Sequence, residues 1–112
     1  MPGLSPGEEQ ALIALFRRCD GEAWERSASW LSDADPCTWE GVTCERGRVT
    51  GLRLPRNHLR GTLPAEIGLL AYLGDLDLSG NALTGALPVD LGNLLNLDTV
   101  DPSDNDLHGA LP

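Results

Sequence analysis

Apolar residues along this chain follow two different schedules. Near the start, Leu12, Leu15, Phe16 and Cys19 recur at the spacing of a single stripe on a helix. The residues before them read as a helix start. Ser5 can cap, Pro6 suits the first helical position, and Glu8 stands three after the cap, as a capping box requires. Arg17 and Arg18 suit a last turn, where cations complement the helix dipole, and Asp20-Gly21 ends the element. From Val49 onward the spacing changes to a period of 24 residues. The first copy carries Val49, Leu52, Leu54, Asn57, Leu59, Gly61, Leu63-Pro64, Ile67-Gly68 and Leu70. The second carries Leu73, Leu76, Leu78, Asn81, Leu83, Gly85, Leu87-Pro88, Leu91-Gly92 and Leu94. The third carries Leu97, Val100, Pro102, Asn105, Leu107, Gly109 and Leu111-Pro112.

Each copy opens with a short strand whose alternate residues point inward. The asparagines Asn57, Asn81 and Asn105 at the ninth position can bond the backbone as the chain leaves the strand. Stacked copies would align them in a ladder that satisfies buried peptide groups. Gly61, Gly85 and Gly109 then permit a sharp turn, and the Leu-Pro after each sets an extended return on the outer side. No copy can bury its own leucines, so each needs a neighbour or a cap. The pattern predicts an α/β repeat solenoid in which the strands stack into a short, curved parallel sheet.

Between helix and repeats, residues 21–45 are rich in turn formers and contain all three tryptophans, Trp24, Trp30 and Trp39. Three Trp in so short a stretch suit either a carbohydrate platform or the core of a small capping module, and the usual burial of Trp favours the core. Cys19 lies on the helix stripe and reads as a small core residue. Cys37 and Cys44 stand seven apart, with His58 the nearest histidine, so a local disulfide suits them better than a metal site needing further ligands.

These residues carry a family resemblance. The chain resembles plant-type leucine-rich repeat proteins with their N-terminal cap, as in receptor-kinase ectodomains and polygalacturonase inhibitors. The cap matches in the helix, in Gly21-Glu-Ala-Trp24, and in Trp30-Leu31-Ser32-Asp33 and then Asp35-Pro36-Cys37-Thr-Trp39-Glu-Gly41-Val42-Thr43-Cys44. The repeats match the pattern Leu-x-x-Leu-x-Leu-x-x-Asn-x-Leu-x-Gly-x-Leu-Pro. The resemblance implies a cap disulfide between Cys37 and Cys44 and a non-catalytic binding module. The expected domains are a capping module at 1–48 and repeats at 49–112 (49–72, 73–96 and a partial 97–112), together one folding unit. That makes a helical, Trp-rich cap before about two and a half leucine-rich repeats. Pro102 departs from the pattern at a Leu position and, lacking an N–H, is expected to discourage further pairing. The last repeat stops without a C-terminal cap, which suits a fragment or a minimal array.

The third, fifth and seventh positions of each copy are expected to face outward on the concave side. They give the rows Gly51, Asp75, Thr99; Arg53, Asp77, Asp101; and Pro55, Ser79, Ser103, flanked by Arg56, Asp98 and Asp104. Arg53 is expected to pair with Asp77 on the next strand, leaving Asp101 as a like-charge neighbour of Asp77. The candidate partner-binding residues are Arg53, Asp75, Asp77, Ser79, Thr99, Asp101 and Ser103, for a basic peptide or protein. The simpler alternative is a solvated sheet face, since those rows hold no aromatic anchor. The same face leaves two other readings of the chain. One is a structural module pairing with a second copy through its open C-terminal edge, at Leu107 or Leu111. The other is the opening of a longer receptor-type ectodomain.

Charge sharpens this picture. The eight basic residues are all arginines, and all lie in residues 1–60 against nine Asp/Glu, whereas residues 61–112 hold eight Asp/Glu and no Lys or Arg. The halves sum to −1 and −8, within a total of −9. A nucleic-acid partner or an anionic membrane is excluded, because each needs a basic face. No cofactor, metal site or catalytic residue is expected. Asp104-x-Asp106-x-His108-Gly109 is similar to the opening of a calcium loop but lacks room for its closing Glu, so Asp104 and Asp106 read as turn residues. His58 and His108 fall on turns of different repeats, and no Ser or Cys has an evident base. The cap motif points to an oxidising, extracellular or cell-surface setting. The first residues lack the basic and apolar stretches of an export signal, which leaves a cytoplasmic setting open.

Overall fold

The structure, a computed structural model, describes residues 4–101 and 103–108. Pro102, Gly109, Leu111 and Pro112, and the expectations attached to them, lie outside the described residues. The helix stripe becomes α1 (Pro6–Arg18), with Pro6 in its first turn and the Ser5 hydroxyl accepting the Glu8 N–H. Ala11, Leu12, Leu15, Phe16 and Cys19 are buried. Glu8 does something other than close a capping box. One carboxylate oxygen accepts the Ser5 hydroxyl at 3.2 Å and the other accepts the Val49 N–H at 2.9 Å. The reason is topological: Val49 is fully buried where the pairing of the strands around it is irregular. Its N–H takes an acceptor from the helix, because a buried peptide donor left unpaired costs about 1–3 kcal/mol.

Past the helix the chain packs its aromatics on one another. The ring centroids of Phe16 and Trp24 lie 5.1 Å apart, those of Trp24 and Trp30 5.0 Å, and those of Trp30 and Trp39 5.1 Å. Each indole N–H donates to a carbonyl, Trp24 to Cys19, Trp30 to Glu40 and Trp39 to Ala34. The three Trp are therefore core, which removes the carbohydrate-platform alternative. Cys37 and Cys44 are joined by a disulfide, and Cys19 is the free, buried thiol.

A hairpin of β1 (Val42–Glu45) and β2 (Arg48–Arg53) joins the cap to the repeats. Strand β2 then pairs in parallel with β4 (Asp75–Asp77), and β4 with β6 (Thr99–Asp101). The partners Gly51, Asp75 and Thr99, and likewise Arg53, Asp77 and Asp101, stand in register, so the sequence period of 24 is the register of the sheet. Beneath them Leu52, Leu54, Leu76 and Leu78 are buried. On the outer side the chain forms short 3-10 turns at Ala65–Leu69 and Val89–Asn93, the first of which packs against α1 and the second against the first.

A second sheet was not legible in the sequence. Strands β3 (Arg60–Gly61), β5 (Ala82–Ala86) and β7 (Asp106–His108) pair in parallel on the far side of the asparagines. The repeat glycines Gly61 and Gly85 thus lie within strands, at φ of 93° and 78°, instead of forming turns. Gly61 also approaches the helix end closely: a Cβ there would stand 2.7 Å from the Arg18 carbonyl oxygen. Asp106 and His108 likewise belong to a strand, correcting their assignment to turns; peptide pairing with β5 draws them into the sheet. Asp104 does sit in a bend, at φ 56°.

Candidate binding face

The outward rows of the β1-β2-β4-β6 sheet make the candidate face. Thr99, Arg53 and Ser103 are exposed, while Asp75, Asp77, Ser79 and Asp101 are half-buried. Gly51 is not part of it. It is buried under the hairpin, where a Cβ would meet the Thr43 Cβ at 3.3 Å, so the cap covers the first position of its row.

Arg53 forms its ion pair and hydrogen bond with Asp75, not with the Asp77 that stands opposite in register. Asp77 is held elsewhere. Its Oδ1 accepts the Ser79 N–H at 3.0 Å and the Ser79 hydroxyl at 2.7 Å, turning the carboxylate along its own strand. Asp101 repeats this with Ser103, accepting the N–H at 3.1 Å and the hydroxyl at 2.6 Å. Those two bonds, the hydroxyl's first, hold the Asp101 carboxyl below its ordinary pKa of 3.8. Asp77 and Asp101 therefore stand side by side in register, each charge fixed in direction, while the charge of Asp75 is matched by Arg53.

The asparagines run beneath this face. The Asn81 Oδ1 accepts the N–H groups of Asn57 and Leu59, and its Nδ2 donates to the carbonyls of Leu54, Leu78 and Ser79. The Asn105 Oδ1 accepts the Leu83 N–H, and its Nδ2 donates to Leu78 and Ser103 carbonyls. Asn57 turns to the cap, accepting the Arg26 N–H at 2.6 Å and donating to the Arg26 carbonyl at 2.8 Å. The Arg26 guanidinium in turn donates to the carbonyls of Pro55 and Arg56. Nothing in the spacing of the sequence marked Arg26 as the residue that joins cap and asparagines.

Sequence reasoning also missed an aromatic at the edge of the sheet. Tyr72 is exposed, and the Arg48 guanidinium lies 4.3 Å from its ring centroid. The two occupy the same place one period apart, Arg48 at the first residue of β2 and Tyr72 just before β4. Because that place lies outside the alternation of the strand, a search of outward rows passed over it. Among the described residues no three His, Cys, Asp or Glu side chains converge on a place that could hold a metal ion. No described helix is long and apolar enough to cross a membrane.

Comparison with known proteins agrees with this arrangement. The family model described as "Leucine rich repeat N-terminal domain" matches residues 5–45, and that of the "Leucine Rich Repeat" matches residues 72–94. The leucine-rich repeat receptor protein kinase EMS1 of Arabidopsis thaliana is 42% identical over 73 residues, which cover 65% of this chain and 6% of that protein. The BIR2 ectodomain of the same plant superposes with a TM-score of 0.83 at 30% identity, covering 99% of this chain and 60% of that one. The PEPR1–AtPEP1 structure superposes with a TM-score of 0.78 at 31% identity, covering 92% of this chain and 15% of that one. The chain spans 6–11% of the length of the curated relatives it matches. The segments that match are the cap and a repeat, not a kinase. With a Trp-filled, disulfide-joined cap leading into a parallel sheet whose register is the sequence period, the chain is a plant-type leucine-rich repeat protein.

Proposed function

We propose that this chain is a non-catalytic protein- or peptide-binding module whose recognition surface is the concave face of Arg53, Asp75, Asp77, Ser79, Thr99, Asp101 and Ser103. The observation that carries the reading is the pair Asp77 and Asp101, in register and, among the described residues, without a cation bonded to either, while Arg53 beside them is engaged by Asp75. Such a face suits an extended basic peptide, with charge aiding the rate of encounter more than the final affinity. The relatives support the general class, since EMS1 is named a receptor and PEPR1 was solved together with AtPEP1. In this reading residues 1–48 cap about two and a half repeats at 49–112, as one folding unit.

The test is a set of extended peptides, Arg/Lys-rich, neutral and acidic, titrated against the intact chain at low and high salt. Binding of the basic peptide is expected to weaken with salt. The double variant Asp77→Asn/Asp101→Asn should weaken it by about tenfold, with most of the change in the association rate. Equal binding of basic and neutral peptides would overturn the acidic-face reading. The length of the relatives favours a second reading, in which this cap and these repeats open a longer receptor-type ectodomain and further repeats meet the partner. Sequencing the encoding gene past Pro112, for more repeats, a membrane span or a kinase, tests it.

A further inference from the structure

The large exposed apolar side chains are unevenly placed. Among the described residues, and apart from Leu31 in the cap, they are Leu69, Tyr72, Val89 and Leu95, all on the two segments that run through a 3-10 turn into the next strand. Leu95 is 94% exposed and Val89 80%. Leu69 and Val89 stand on the outer-side turns, whereas Tyr72 and Leu95 share one flank, the edge of the main sheet where β4 and β6 begin. The turn Ala65–Leu69 packs on Val89–Asn93 so closely that a Cβ on Gly68 would lie 2.7 Å from the Asp90 Cβ. The strands after these turns are hydrogen-bonded in register. Tyr72 and Leu95 thus lie in the turns that lead into the neighbouring strands β4 and β6.

Charge runs along this flank from one sign to the other. At the cap end stand the exposed Arg46 and Arg48 of the hairpin, with a single Glu45 across from Arg48. At the other end stands the exposed Asp98, just before β6. A surface with a basic end, an apolar middle and an acidic end is complementary to itself under a two-fold rotation, which lays the basic end of one copy on the acidic end of the other. An apolar stretch rimmed by polar groups marks an interaction site. Here the rim also says which partner fits.

We infer that this flank is an interface between two copies of the chain, with Leu95 and Tyr72 at its centre and Arg48 of one copy facing Asp98 of the other. The net charge of −9 on each copy opposes association. At physiological salt, however, charges more than about 8 Å apart are largely screened, and the contact across the flank is local. None of Leu95, Tyr72, Arg48 and Asp98 is among the seven residues of the proposed peptide-binding face, so the inference stands or falls independently of the peptide reading.

Sedimentation equilibrium of the full chain over a wide concentration range tests it. The expected result is a mass approaching twice 12.0 kDa as concentration rises. The variant Leu95→Asp should weaken the dimer by about thirtyfold or more while leaving the circular dichroism unchanged, since Leu95 contributes nothing to the core. Arg48→Asp and Asp98→Arg should each weaken self-association, and mixing the two variants should restore a dimer, held by one native pairing and one with its charges exchanged. A wild-type monomer at every concentration overturns the inference. So does a dimer that survives Leu95→Asp, whether or not Leu107→Asp at the C-terminal edge breaks it.

Discussion

The cap and the repeats solve the same problem, burying apolar surface in a short chain, by opposite means. In the cap no buried group meets a periodic counterpart: Trp24 lies edge-on to Phe16, Trp30 edge-on to Trp24, and each indole N–H has its own carbonyl. In the repeats each position meets its own counterpart 24 residues on, as Leu52 does Leu76 and Leu76 does Val100. A unit of unlike contacts has no second copy of any part, whereas a repeated unit shares each contact among neighbours. Sensitivity to substitution should therefore be concentrated in the cap and graded along the repeats.

The largest effect is expected at Trp30, which touches Phe16, Trp24 and Trp39 at once. Trp30→Ala should cost about 3–5 kcal/mol, enough to unfold a chain of this size, as read by thermal melting. A loss no greater than that of an ordinary leucine truncation would break the claim that the cap is the less redundant half.

Next comes Asn81→Ala. It orphans the N–H groups of Asn57 and Leu59 and removes the amide donor to the Leu54 carbonyl of the preceding repeat, so it should cost about 2–4 kcal/mol. Asn81→Asp should recover little, since a carboxylate accepts but cannot donate. Equal stability of the Ala and wild-type chains in urea would show that water replaces the amide.

The smallest effect at neutral pH, and the one that separates the two halves by chemistry, concerns the thiols. The unreduced protein should yield one titratable thiol, Cys19, and only after denaturation. Burial pushes the Cys19 thiol from its ordinary 9.0 up to about 12, partly offset by the nearby Arg18. Below pH 9 the thiol is neutral folded or unfolded, and its contribution is fully present. As pH rises from 9.0 toward about 12 the unfolded chain loses this proton and the folded chain keeps it. Stability should then fall by up to about 1.4 kcal/mol per pH unit relative to Cys19→Ala. Parallel alkaline melting curves for the two chains would contradict it.

Some of this was legible from residues alone because it depends on local spacing. The helix stripe at Leu12, Leu15 and Phe16 and the caps at Ser5 and Pro6 are short-range features. The strand pairing at Gly51, Asp75 and Thr99 is long-range, yet it was legible because repetition writes a distant contact as a period. The features that stayed hidden had no such period. Glu8 carries the signature of a capping box, yet its carboxylate serves a peptide 41 residues away that only the folded chain brings near. Arg53 reads as the partner of Asp77, but Ser79 is closer along the chain and claims that carboxylate, leaving the guanidinium to Asp75. Arg26 and Tyr72 sit outside any strand alternation, so their roles beside Asn57 and Arg48 had no pattern to betray them.

By itself, then, the sequence determined the first helix, the repeat strands of the main sheet with their register, and the aromatic content of the cap, since these depend on which residues stand or recur at what interval. Tertiary structure decided the second sheet, in which Gly61 and Gly85 run as strand instead of turn. It also decided where each charge on the binding face is directed. The physical reason is the same in both cases. Peptide groups and carboxylates take whichever partner the packed chain brings within hydrogen-bond reach, and that choice is made only after the leucines have settled where the backbone lies.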